Sequence, residues 1–232
     1  MQKKSDNQQP VSGFMLVNKS CGPTSHTVVN QLRRISDIKK IGHAGTLDPF
    51  ASGLLIMAIG REATRQISKY VKMEKEYSAT LKLGAISDTY DRTGIIISND
   101  ECQMTNKEKV VEVLDKFIGK QEQVPPMFSA KKIQGKRLYE LARQGVEVER
   151  EPAEIEIKEL EIIEYDYPKL IIRVACSSGT YVRSLAHDIG KVLGCGAYLE
   201  ELERTAIGKF SLSGATKLSD IDEKNWVDRL FV

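Results

Sequence analysis

Lys40-Ile41-Gly42-His43-Ala44-Gly45-Thr46-Leu47-Asp48-Pro49-Phe50-Ala51-Ser52-Gly53 carries three glycines and a proline in fourteen residues. That density of backbone punctuation makes it a shaped loop rather than a helix or an ordinary strand. Leu54-Leu55-Ile56-Met57-Ala58-Ile59-Gly60 follows with no polar interruption and reads as a strand buried on both faces. One carboxylate, Asp48, therefore stands between Leu47 and Pro49 at the mouth of a buried strand. The proline restrains Asp48 toward extended backbone. An Asp-Pro pair also makes plain turns, with the carboxylate bonded to its own backbone. Spacing alone leaves the catalytic and the turn readings both open.

Before the loop, residues 1–12 read as a disordered tail and Gly13–Lys19 as a first strand closed by Cys21-Gly22-Pro23. Thr24 or Ser25 can cap a helix with Val28, Val29, Leu32 and Ile35 on one face. After it, Arg61–Val71 is expected to be a short helix. Tyr77, Ala79, Leu81 and Leu83 alternate with polar residues in a half-buried strand. Thr105-Asn106-Lys107-Glu108 has the form of a capping box opening a helix through Val110, Val111, Leu114, Phe117 and Ile118, with Gly119 placed to stop it. Ala153–Ile163 and Leu170–Cys176 read as strands, and slipped alternation at Lys158-Glu159 suggests a bulge. Ser177–Thr180 then caps a helix on Val182, Leu185, Ala186, Ile189 and Leu193. Tyr198–Ile207 reads as a strand and Asp222–Leu230 as a last short helix. Strands and helices do not alternate strictly, so the expected class is α+β with a mixed sheet.

Composition narrows the function. The 232 residues are 41% hydrophobic and 28% charged, as in an ordinary globular protein with room for a sizeable core. A net charge of +2 gives no global field for a polyanion, so any nucleic-acid surface must be a local cluster. Lys131, Lys132, Lys136, Arg137 and Arg143 form such a cluster around Phe128 and Tyr139 within residues 124–145. Basic residues interleaved with aromatics can follow a phosphate backbone and offer faces to bases. A solvated helix face is the plainer account. The four cysteines are scattered and there are three histidines, which gives no metal-ligand spacing, and no cofactor is expected. With no membrane-length apolar run and no signal-peptide core, the expected location is the cytoplasm.

Gly42-His43-Ala44-Gly45-Thr46-Leu47-Asp48-Pro49 resembles the nucleophile loop of the TruB family of bacterial tRNA pseudouridine synthases. Lys75-Glu76-Tyr77, Val124–Ala130, Ser178-Gly179-Thr180-Tyr181-Val182-Arg183 and Leu202-Glu203-Arg204-Thr205 match further motifs in the same order. The resemblance spans about Gly13 to Phe210, and five ordered motifs are far more specific than any one of them. It implies the pseudouridine synthase fold, a largely antiparallel central sheet with an active-site cleft across it. It also implies one catalytic domain over 13–232, carrying an RNA-contacting insertion near 124–145. Many members continue into a PUA-type RNA-binding domain. Ser211–Val232 are too short for one, so the expectation is a compact form or else a truncated chain.

The resemblance implies isomerisation of uridine 55 in the tRNA T-loop, with the nucleotide flipped out of its stack, and a monomer is expected. Asp48 would be the nucleophile at C1′. Arg183 would orient it through charge-assisted hydrogen bonds. Tyr77 would stack on the base and assist proton abstraction, although an unperturbed phenol of pKa about 10 is an inefficient base. His43, Tyr181 and Leu202 would surround the uracil, and Lys131, Lys132 and Lys136 would meet RNA phosphates. From the residues alone, Tyr77 fits a core aromatic, Arg183 a solvent-facing helix residue and His43 a loop residue bonding backbone. His26 and His187 read as structural. Two rivals remain: a tRNA-binding module needs basic and aromatic residues but no Asp48, and a glycoside hydrolase needs a second, water-activating carboxylate, which the sequence does not offer.

Overall fold

The structure, a computed structural model, describes residues 11–99, 106–129, 131–133 and 135–232. In chain order the elements begin with β1 (Gly13–Lys19), α1 (Ser25–Ser36), β2 (Ile41–His43), β3 (Ser52–Ile59), α2 (Arg61–Gln66) and α3 (Ser68–Val71). Next come β4 (Lys75–Leu83), β5 (Ala85–Ser87), β6 (Ile96–Ser98), α4 (Lys107–Asp115), β7 (Gly119–Gln123), β8 (Lys132–Ile133), β9 (Lys136–Arg137) and α5 (Leu138–Ala142). The series ends with β10 (Ala153–Asp166), β11 (Lys169–Cys176), α6 (Val182–Leu193), β12 (Ala197–Ile207), β13 (Phe210–Ser211) and β14 (Thr216–Lys217). The chain divides into two compact units. One is built from residues up to Met73 with Arg204–Val232, and the other from Glu74–Glu203.

In the first unit β3 pairs antiparallel with β1 and with β2, and β1 pairs parallel with β14. Leu54, Ile56 and Ala58 of β3 join Phe14, Ala44, Ala63 and Ile207 in one apolar cluster. Leu55, Met57 and Ile59 point the other way, as strand alternation requires, and are equally buried. This is the two-sided burial read from the apolar run. Thr24 caps α1, its hydroxyl accepting from Thr27 N, and Val28, Val29 and Leu32 are buried. Ser12 hydrogen-bonds Ile59 O and Ala63 N, and Met1–Pro10 lie outside the described residues.

In the second unit β4, β11, β10 and β7 form an antiparallel ladder, with β5–β6 and β8–β9 as separate two-stranded pairs. The bulge expected at Lys158-Glu159 is there as a register shift between Ile157 and Glu159. The mixed sheet flanked by helices confirms the α+β expectation. Among the described residues no helix is long and apolar enough to cross a membrane.

Several local readings are corrected. Thr105 lies outside the described residues, and α4 is capped by Asn106, whose side chain accepts from Lys109 N. Val113 takes the inward place assigned to Val111, which is exposed, because the helical period runs 110, 113, 114. The helix stops at Asp115, and Gly119 opens β7 instead of merely ending a helix. Arg61–Val71 is two short helices. Asp222–Leu230 is a turn followed by a 3-10 turn at Val227–Arg229. It must end there, since Phe231 extends to exchange two 2.8 Å backbone hydrogen bonds with Phe14.

Candidate active site

The Asp48 loop is fixed from three sides inside the first unit. Ser25, the first residue of α1, accepts from Leu47 N at 2.9 Å and donates to Leu47 O at 3.1 Å. Pro49 O accepts from Gly22 N at 2.7 Å. Arg204, almost wholly buried on β12, donates to Leu54 O at 2.7 Å and Gly45 O at 3.1 Å. Leu47, Phe50 and Ala51 are buried around Asp48, which is half-buried. The loop is thus a rigid mount for one carboxylate.

Lys19, with no exposed surface, ends β1 beneath this loop. Its ammonium donates to Ser20 O and Pro23 O at 2.9 Å each and reaches Pro49 O at 3.5 Å. Burial lowers its pKa to about 8. Cys21 and the Asp48 carboxylate oppose the fall, and Arg204 adds to it. At neutral pH Lys19 therefore remains a cation within the field of Asp48. His43, at the end of β2, is half-buried, and among the described residues nothing hydrogen-bonds its Nδ1. Burial first, then the Arg204 guanidinium, hold its pKa below the usual histidine value, so the ring is neutral.

The second unit holds the remaining residues. Tyr77 sits on β4 at 8% exposure, in phase with buried Ala79, Leu81 and Leu83, as its alternation requires. Arg183 is the second residue of α6 and is only 3% exposed, which overturns the solvent-facing alternative. Its guanidinium donates to Thr89 O at 3.1 Å and Phe128 O at 2.8 Å, and lies 3.5 Å from Asp91 Oδ2. Asp91 is buried too, and Thr89 Oγ1, Thr93 N and Thr93 Oγ1 satisfy its Oδ1 at 2.9, 2.9 and 2.5 Å. A buried arginine so enclosed by acceptors has its planar fork fixed in direction.

The amide of Tyr181, ahead of α6, is capped by no residue of the Ser177–Thr180 turn. Gln123 of β7 does this, accepting from Tyr181 N at 2.8 Å and donating to Tyr181 O at 3.0 Å. Tyr181 is half-buried, and Leu202 is buried on β12. Lys131 is half-buried with its ammonium 3.5 Å from Glu151 O, and Lys132 and Lys136 fall on the paired strands β8 and β9. Asp48 and His43 belong to the first unit, and Tyr77, Tyr181, Arg183, Leu202 and the three lysines to the second.

Sequence reading missed Lys19, Asp91, Gln123 and the depth of Arg204. Asp91 carried a faint signal, since Ser87-Asp88-Thr89-Tyr90-Asp91-Arg92-Thr93-Gly94 is a polar run rich in residues that bond neighbouring backbone. Among the described residues no group of His, Cys, Asp and Glu could hold a metal ion.

Comparison with solved structures places this architecture. The chain superposes on a chain of the crystal structure of a Cbf5-Nop10-Gar1 complex with a TM-score of 0.71 at 31% identity, over 93% of this chain and 54% of the other. An archaeal box H/ACA sRNP Nop10-Cbf5 complex gives 0.66 at 30% identity, over 92% and 55%. This chain spans about half the length of those chains. The fold is that of the pseudouridine synthases. Residues 33–182 match the TruB family pseudouridylate synthase N-terminal domain, and residues 183–229 match the tRNA pseudouridylate synthase B C-terminal domain. The chain belongs to the TruB family. Similar proteins named tRNA pseudouridine synthase B include one from Chlamydia muridarum, 48% identical over 93% of this chain and 88% of that protein. One from Protochlamydia amoebophila is 49% identical over 91% and 80%, and one from Desulfotalea psychrophila is 47% identical over 94% and 89%.

Proposed function

We propose that the chain is a tRNA pseudouridine synthase that isomerises uridine 55 in the T-loop, acting in the cytoplasm as a monomer. The observation that carries the mechanism is Asp48, half-buried on a loop pinned at Leu47, Pro49 and Gly45, with the Lys19 cation in its field. Its carboxylate attacks C1′ of the extruded nucleotide, and the N1–C1′ bond breaks with its electron pair going to uracil. The freed base turns, C5 joins C1′ as the carboxylate leaves, and the C5 proton is removed while N1 gains one. The displaced base itself takes the place that water takes in a hydrolase.

Tyr77 assists the proton abstraction, and Arg183 supplies a fixed cation held by Thr89, Phe128 and Asp91. His43, presented as a neutral ring, packs on the nucleotide with Tyr181 and Leu202. Lys131, Lys132 and Lys136 meet the T-arm backbone. Incubation with an unmodified tRNA transcript, followed by site-resolved pseudouridine mapping, should give one product in the T-loop. A transcript that is bound and left unmodified would favour a non-catalytic tRNA-binding module instead.

A further inference from the structure

Two non-glycine residues have positive φ. Asp37, at 53°, closes α1, the ordinary place for a left-handed residue. Tyr90, at 64°, closes no helix, and a bulky aromatic side chain is rare in that conformation. Strain of this kind persists where surrounding contacts fix it, and its location can indicate a role. Tyr90 lies between the two acceptors that meet the same Arg183 nitrogen, the Thr89 carbonyl at 3.1 Å and the Asp91 carboxylate at 3.5 Å.

Backbone contacts hold the turn from two directions: Tyr90 N donates to Ser87 O, and Tyr90 O accepts from Leu199 N. The ring is held by His187, with centroids 4.1 Å apart and planes 19° from parallel. Arg183 and His187 are four residues apart on α6 and so share a face. One helix face thus meets three consecutive residues, with Arg183 on Thr89 and Asp91 and His187 on Tyr90. Among the described residues nothing hydrogen-bonds the buried His187 Nδ1, and the stack on Tyr90 is a direct hold on the ring.

We propose that the Tyr90–His187 stack is a positioning device for Arg183. The ring contact keeps the Thr89–Asp91 turn in its left-handed form and so fixes the acceptors that aim the guanidinium. This rests on the reading of Arg183 as the fixed cation of the pseudouridine site.

The test compares His187→Ala, His187→Phe, Asp91→Asn and the His187→Ala/Asp91→Asn pair, in turnover on a tRNA transcript and in NMR of the Arg183 guanidinium in the free protein. His187→Ala should lower kcat about tenfold with KM within about twofold, and it should add little in the Asp91→Asn background, as expected for residues acting as a unit. His187→Phe keeps a flat ring and has no nitrogen to satisfy, so it should return kcat to within about twofold of the parent. Arg183 guanidinium signals, distinct while the acceptors hold, should broaden in His187→Ala and persist in His187→Phe. Unchanged Arg183 signals in His187→Ala, or losses that multiply in the double variant, or a phenyl ring no better than a methyl group, would overturn the proposal. An Arg183→Lys variant that turns over like the parent would instead contradict the reading of Arg183 as the fixed cation of the site.

Discussion

Lys19 has no exposed surface, yet its ammonium is retained because backbone carbonyls receive it and Asp48 lies within its field. Burial lowers its pKa from 10.5 to about 8. Between those values the unfolded chain binds more protons than the folded one, so stability rises with pH across the window. The burial cost is fully present below about pH 8 and relieved on approaching 10.5. From pH 7 to 9.5 the relief amounts to about 2 kcal/mol, at 1.36 kcal/mol per unit. Lys19→Met removes the titrating group and strands carbonyls on Ser20 and Pro23, a loss of about 1–3 kcal/mol at neutral pH. Urea unfolding at the two pH values should show the parent gaining on the variant as pH rises. Parallel responses would mean that Lys19 does not titrate in this range.

At the scale of elements, the join between the catalytic loop and β3 depends on Gly53. Its φ is 105°, and a Cβ there would lie 2.4 Å from Arg204 O and 2.6 Å from Arg204 N. Strain and backbone overlap together should make Gly53→Ala destabilising by about 3 kcal/mol or more, measurable by denaturant unfolding. A loss under 1 kcal/mol would mean that β3 and β12 separate easily at this point. The long elements were legible because one period rules each: the apolar run of β3, the alternation of β4, the amphipathic face of α6. Ile41–His43 was not, since three residues carry no periodicity and become a strand only because β3 offers an edge. The Asp222–Leu230 segment failed for a similar reason, because pairing between Phe231 and Phe14 is non-local.

Over the whole molecule, a net charge of +2 supplies no global field, so contact with RNA phosphates would rest on local clusters. Glu76, Glu159 and Glu161 gather on Arg173 across β4, β11 and β10, while the lysines of residues 131–136 lie elsewhere in the chain. Replacing Lys131, Lys132 and Lys136 together with alanine should raise KM for tRNA and reduce the salt slope of binding by about 2, roughly 0.7–0.9 per lost phosphate contact. An unchanged slope would remove these lysines from the RNA interface. The candidate site was legible where chemistry is concentrated in one segment, as in the loop that isolates Asp48 between Leu47 and Pro49. It was not legible where a role depends on distant partners. Arg183 could have faced solvent by sequence alone, and its burial goes with the meeting of Thr89, Asp91 and Phe128 around its guanidinium. In the proposed function, binding of tRNA is spread over many contacts while its chemistry depends on one carboxylate. Asp48→Asn keeps the shape and removes the nucleophilic charge, so single-turnover assays on bound, unmodified tRNA measure that claim most directly. The expected result is affinity within a few-fold of the parent and no pseudouridine; substantial product from Asp48→Asn would contradict it.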